Sequence, residues 1–222
     1  MAIRIALIHA TPVSIQPIEE AFKKLWPEVV RYNLLDDSLS PDLVAAGRIT
    51  EEMDDRFLRL AGYCVDCGAD AILFSCSAFG TSIDKVKKRF ALPVQKPNEA
   101  MIEQALDVGT RIGLLATAEI SIRSMRPEFE EVATARGKKI ELLTESVPEA
   151  MKARLSGDAA THDELIVEKA GQMKDCDVLV LTQFSMSSAL PKIEDMPERP
   201  VLTTPDSAVA RLKEMLLPRP KH

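Results

Sequence analysis

The segment AILFSCSAFG, residues 71–80, runs four apolar residues into Ser75-Cys76-Ser77 and closes on a glycine. A thiol where a buried strand empties into a turn, beside a helix start, is placed for acid, base or nucleophilic work, because the helix start favours the thiolate. Cys76 is therefore the leading chemical candidate, with Ser75 and Ser77 positioned to donate to it or to a substrate. A small buried residue is the competing reading, since free cysteine is among the most buried types. Three other apolar runs end on polar residues: His9-Ala10-Thr11-Pro12, Thr117-Ala118-Glu119 with Ser121 beyond it, and Thr182-Gln183-Phe184-Ser185. Thr11, Pro12, Thr117, Ser121 and Ser185 are candidate substrate-binding residues, although serine and threonine are also ordinary turn and cap residues. His9 is either an acid–base group or a strand-end hydrogen-bonding group. Glu119 is a base, a solvent-facing group or a selector of positively charged substrates. Met186 is core packing or pocket lining.

These residues need elements to position them. Short apolar runs without alternation are expected as strands at Ile3–His9, Val29–Leu34, Ala71–Ser75, Val94, Arg111–Ala116, Ile140–Thr144, Val178–Thr182 and Val201–Thr203. Amphipathic segments between them predict helices over Ser14–Trp26, Thr50–Cys67, Ser82–Phe90, Asn98–Val108, Ser121–Arg136, Pro148–Ser156, Thr161–Lys174 and Asp206–Leu216, with Asp206 as an N-cap. Buried strands alternating with helices imply α/β architecture with parallel sheets covered on both faces. A repeat sharpens this. Arg4–Ile8 matches Arg111–Leu115, Asp70–Phe74 matches Asp177–Leu181, and Pro93-Val94 matches Pro200-Val201, all offset by 107 residues. Two similar α/β lobes are expected, 1–108 and 109–222, pseudo-twofold related with the active site between them; the last helix of each half is free to pack on the other lobe. Ligands of parallel sheets sit outside the carboxyl ends of the strands, where the polar turns lie. Hydroxyls and backbone N–H groups near helix starts suit a small carboxylate.

Composition narrows the classes. The chain has 222 residues, 46% hydrophobic and 28% charged, with net charge −6, which describes an ordinary globular protein. No basic cluster exceeds KVKKR at 85–89, so no nucleic-acid partner is expected. No apolar run approaches a membrane span of about 18 residues, and the amino terminus reads as a strand rather than a signal peptide. The expected location is the cytoplasm, with the four cysteines reduced. Cys64 and Cys67 have C-x-x-C spacing inside a helical pattern, without a second pair or a nearby histidine, and read as packed helix residues. His162 and His222 offer no ligand cluster, so no metal is expected. Nine glycines form no phosphate-binding loop, so no nucleotide cofactor is expected.

GADAILFSCSAFG resembles the cysteine segment of the aspartate/glutamate/hydantoin racemase superfamily, which also includes maleate isomerases and arylmalonate decarboxylases. RIGLLATAEISIRSM resembles the start of its second half, and DVLVLTQFSM falls where the second cysteine segment belongs. The resemblance spans nearly the whole chain. It implies cofactor-independent proton transfer at the α-carbon of a small carboxylate or amino-acid-like substrate. In the family's racemases one thiol from each lobe serves each face of that carbon. Here the 107-residue offset pairs Cys76 with Gln183, which cannot exchange a proton as a base. Cys176 precedes its strand and belongs at the other end of the sheet. The expectation is therefore a divergent member with one thiol, Cys76, and a substrate-orienting or carbonyl-polarising amide at Gln183; a strand-end group satisfying the backbone is the plain alternative for Gln183. Decarboxylation of a substituted malonate and a catalytically silent carboxylate-binding protein are the alternatives. The decarboxylase branch keeps its single cysteine in the second lobe, whereas this one is in the first. Family members often associate, so the resemblance allows a homodimer.

Overall fold

The computed structural model describes residues 2–194 and 198–217. They form two compact units: one runs to Glu99 and resumes at Ala208, the other spans Ala100–Ser207.

The first unit holds a parallel sheet of β1 (Arg4–His9), β2 (Val30–Leu35), β3 (Ala71–Phe74) and β4 (Val94–Gln95), ordered β2-β1-β3-β4. The second holds β5 (Arg111–Ala116), β6 (Glu141–Ser146), β7 (Val178–Leu181) and β8 (Val201–Thr203), ordered β6-β5-β7-β8 and also parallel. The two registers correspond: Ile5 pairs with Ala71 in one sheet and Ile112 with Val178 in the other. The central strands β3 and β7 are buried at every residue, which is why their sequences show no alternation. The flanking β2 and β6 carry mixed residues and are only partly covered.

Helices connect the strands: α1 (Ile15–Leu25), α2 (Leu39–Ala46), α3 (Glu51–Asp66), α4 (Gly80–Arg89), α5 (Glu99–Val108), α6 (Glu119–Ala135), α7 (Pro148–Leu155), α8 (Ala159–Gln172), α9 (Leu190–Glu194) and α10 (Thr204–Leu216). The Thr50 side chain accepts from the Met53 N–H and starts α3, as expected of its sequence. The expected cap at Asp206 is corrected. The helix begins at Thr204, and the Thr203 hydroxyl accepts the Asp206 N–H at 3.4 Å, so Asp206 lies inside the first turn. Helix α2 was not anticipated; Pro41 in its first turn and its short length hide it, and Gly47 ends it at φ 65°. Helix α5 contributes Met101, Ile102, Ala105 and Leu106 to the core of the second unit with Ile112, Leu114 and Phe129. From Ala208 onward α10 serves the first unit, where the Ala208 carbonyl accepts from Gln95 and Lys213 donates to the Leu25 carbonyl.

The core of the first unit bears directly on Cys76. Phe57 of α3 lies 5.2 Å from Phe74 and 4.9 Å from Phe79, ring centre to ring centre. Phe74 ends β3 and Phe79 closes the turn beyond it, so this aromatic cluster clamps the backbone on both sides of the thiol. Burying each ring stabilises the unit by about 1.5–3 kcal/mol, which makes the turn a rigid part of the core. Among the described residues no helix is long and apolar enough to cross a membrane.

Candidate active site

The Ser75-Cys76-Ser77 segment leaves the carboxyl end of β3 and enters a 3-10 turn, Ser77–Phe79, which runs into α4. Cys76 holds extended backbone at φ −120° and is half-buried. Burial pushes its thiol pKa up, opposed by a hydrogen bond from the Ala78 N–H. Sequence reasoning anticipated thiolate stabilisation by the helix start. That donor is present, but desolvation is the larger effect, so the resting group is a neutral thiol.

The neighbouring strand ends form a buried polar network. His9 ends β1 at 1% exposure. Its Nδ1 lies 2.8 Å from the Ser75 Oγ and 3.2 Å from the Ser14 Oγ, while its Nε2 lies 2.8 Å from the Asn33 Oδ1. The two serine hydroxyls are 2.8 Å apart, and Ser14 donates to the Thr11 carbonyl at 3.0 Å. Asn33 donates to Glu19 at 3.0 Å, and Arg31 pairs with Glu19 at 2.7 Å. Burial opposes ionisation of Glu19, but Asn33 and Arg31 outweigh it and hold the carboxyl below its usual value. Burial lowers the His9 pKa, partly offset by the Asn33 hydrogen bond and the Glu19 charge.

The second unit carries a different device at the equivalent strand ends. Gln183 follows β7 and precedes the 3-10 turn Phe184–Ala189. Its Oε1 accepts from the Thr117 N–H at 2.6 Å and from the Thr117 hydroxyl at 2.8 Å. Two donors on the oxygen fix the orientation of the amide and direct its own N–H donors the other way. The arrangement offers hydrogen bonds to a carbonyl or carboxylate oxygen and no base.

The other candidates fall into place around these two clusters. Thr11 and the exposed Pro12 start the 3-10 turn Pro12–Ser14, where the Thr11 side chain makes no capping bond. Ser77 is half-buried in the turn after Cys76, and Ser185 is half-buried in the turn after Gln183. Glu119 is the exposed first residue of α6, with half-buried Ser121 in the same turn. Met186 is fully buried and belongs to the core. Cys176 is buried before β7 and donates to the Met173 carbonyl, away from the strand's carboxyl end. Cys64 is buried in the core of the first unit, and both Cys64 and Cys67 are free thiols. His162 is fully buried against Asp163 at 2.8 Å, and His222 lies outside the described residues. Among the described residues no group of three or more His, Cys, Asp or Glu side chains is arranged to hold a metal ion. Ser14, Asn33 and Glu19 were missed by sequence reasoning. The one signal was Asn33, a polar residue inside the strand VRYNLL.

The chain is thus a two-unit α/β protein in which both parallel sheets share one strand order, with a thiol at a strand end of the first and an amide at the matching strand end of the second. The chain belongs to the Asp/Glu/Hydantoin racemase family, whose profile matches residues 8–212. This membership supports an enzyme of the racemase or isomerase type. Among solved structures, it is similar to allantoin racemase from Klebsiella pneumoniae, with a TM-score of 0.72, 17% identity, and 97% of this chain and 88% of that chain covered. Glutamate racemase isoform RacE1 from Bacillus anthracis gives 0.71 and 14%, covering 97% and 81%. Aspartate racemase from Picrophilus torridus gives 0.70 and 16%, covering 96% and 94%. At these identities the structures show a shared fold. No curated protein sequence is matched by this one.

Proposed function

We propose that the protein is a cofactor-independent isomerase that moves a proton at the α-carbon of a small carboxylate or amino-acid-like substrate, with Cys76 as its one transferring thiol. The observation that carries this reading is the placement of Cys76. It is a half-buried free thiol at the carboxyl end of a central parallel strand, held by an aromatic clamp and an Ala78 N–H. A partly desolvated thiol is suited to exchange a proton with a carbon acid, because it ionises far more readily than a hydroxyl while burial strengthens its thiolate as a base. The Gln183 amide, locked by Thr117, supplies donors that suit a carboxylate or an enediolate oxygen.

The test is deuterium incorporation at the α-carbon in heavy water, with amino acids, hydantoins and 2-substituted malonates as candidates. The expected result is exchange with one of these classes, reduced about a hundredfold or more in Cys76→Ser. Inversion of configuration identifies a racemase. Loss of carbon dioxide from a malonate identifies a decarboxylase and overturns the isomerase reading. Equal exchange in wild type and variant removes Cys76 from the reaction. Tight carboxylate binding without any exchange establishes the silent binding protein instead.

A further inference from the structure

One flank of α3 reaches past the sheet it packs on. Met53, Phe57, Ala61 and Cys64 of this helix face the core of the first unit. Arg56, Arg59, Leu60 and Tyr63 follow at helical spacing on the adjoining flank. Below them the sheet stops, because β2 is an edge strand. With Leu34 of β2 and Asp36 just beyond it, the four helix residues line a groove of about 360 Å³, at the lower end of the range for small-molecule sites. Its floor is apolar: Leu34 and Leu60 pack against the core, and Tyr63 is 57% exposed. Its charges are unequally matched. Arg56 is committed to Asp36 at 2.6 Å and to Asp42 at 2.5 Å, and Asp36 also accepts from Ser38 at 2.7 Å. Arg59 is exposed and has no ion-pair partner among the described residues. The groove therefore presents one unmatched cation beside an apolar floor.

The matching edge of the second sheet is built differently. Ile8 pairs with Leu34 in the first sheet, and Leu115, its counterpart in the repeat, pairs with Glu145 in the second. A carboxylate thus stands where the first unit has Leu34. The groove at that edge is lined by Glu145 and Lys169, which lie 3.5 Å apart, so its cation has a carboxylate of its own. We propose that the groove of Leu34, Arg59, Leu60 and Tyr63 is a binding site for a small amphipathic carboxylate, an aryl-alkyl acid whose carboxylate pairs with Arg59 while its ring lies on Leu34, Leu60 and the Tyr63 ring. A guanidinium offers parallel N–H donors that match both oxygens of a carboxylate, and removing the ligand ring from water drives the apolar contact. None of these residues belongs to the strand-end clusters of Cys76, His9 and Gln183, so the site is additional to the one described above and independent of the reaction proposed for it. A ligand of about ten heavy atoms in an open groove sets a dissociation constant on the order of 1 mM.

The probe is 3-phenylpropionate, added to the full-length protein carrying 13C-labelled leucine methyl groups, with the Leu34 and Leu60 signals assigned by their loss in Leu34→Met and Leu60→Met. Saturable ring-current shifts of both signals are expected. Arg59→Gln, a change at an exposed position, should weaken binding about tenfold, the worth of one charge-assisted contact. The uncharged 3-phenylpropanol should bind wild type about tenfold more weakly than the acid and should not distinguish wild type from Arg59→Gln. Cys76→Ser should leave the shifts unchanged, and their loss in that variant would tie the probe to the strand-end site and overturn the proposal. Absence of shifts at both leucines, or equal affinity for the acid in wild type and Arg59→Gln, also overturns it. If the two signals move on dilution of the protein without probe, and sedimentation shows a dimer that Tyr63→Glu dissociates, a second copy of the chain fills the groove and the proposal fails.

Discussion

The Thr117–Gln183 clamp makes a quantitative prediction. Thr117 is 1% exposed and gives both its N–H and its hydroxyl to one oxygen. Thr117→Val keeps the side-chain shape and leaves the Gln183 oxygen with the backbone donor, so it costs one neutral hydrogen bond, about 1 kcal/mol. Gln183→Ala removes the acceptor and strands a buried hydroxyl, so about 2–3 kcal/mol is expected. In the double variant the stranded hydroxyl is gone. The combined cost should therefore fall short of the sum by about 1 kcal/mol, a coupling typical of groups in direct contact. Urea unfolding at pH 7 measures each variant, and a difference of 1 kcal/mol moves the midpoint by about 0.5 M at ordinary denaturant slopes. Strict additivity would show that the two side chains do not share the bond and would refute the locked amide. Gln183→Glu separates structure from chemistry: a carboxylate can take both Thr117 donors, but it sets a negative charge where N–H donors stood. Stability should hold while α-carbon exchange of a carboxylate substrate falls.

Two further expectations concern pH. Because burial raises the Cys76 pKa, its thiolate forms later than an ordinary thiolate as pH rises; site-resolved alkylation by iodoacetamide should climb through a midpoint above the normal thiol value, and a midpoint below it would contradict the burial argument. Asp54 is buried in α3, where burial raises its pKa but the Lys85 contact at 2.5 Å and the Ser82 hydroxyl at 2.7 Å outweigh it, leaving the pKa lowered. A depressed carboxyl stabilises the fold above its unfolded value and loses that contribution as pH falls through the folded value. Asp54→Asn should thus cost about 2 kcal/mol at pH 7 and almost nothing at about pH 2, and a cost independent of pH would show that the charge is irrelevant.

The architecture was readable because it is written twice. β1 and β5, β3 and β7, and β4 and β8 keep one spacing, and periodicity distinguishes buried central strands from helices. β2 and β6 break that spacing: Arg4 pairs with Val30, whereas Arg111 pairs with Glu141. Helix α6 and the segment after it are longer than their counterparts around α1, and partly exposed strands tolerate such drift. The short α2, with a proline in its first turn, lacks the length that makes helical periodicity visible. Cys76, His9 and Gln183 stood out as polar residues ending apolar runs. Their partners did not, because Asn33, Ser14 and Glu19 reach His9 from other segments, and a hydrogen-bond direction becomes known only when every donor has been placed.

The duplicated scaffold also shows what divergence has altered. The repeat sets Ala10 against Thr117 and Cys76 against Gln183. In the second unit Thr117 ties down the amide with two hydrogen bonds. In the first unit Ala10 has no side-chain donor to offer the sulfur, and a separate polar network joins His9, Ser75 and Ser14. The second unit has at those places Ala116, which has no titratable side chain, and Thr182, whose buried hydroxyl has no hydrogen-bond partner among the described residues. The strand order and the registers are common to both units, so the difference between them is concentrated in these residues at the strand ends.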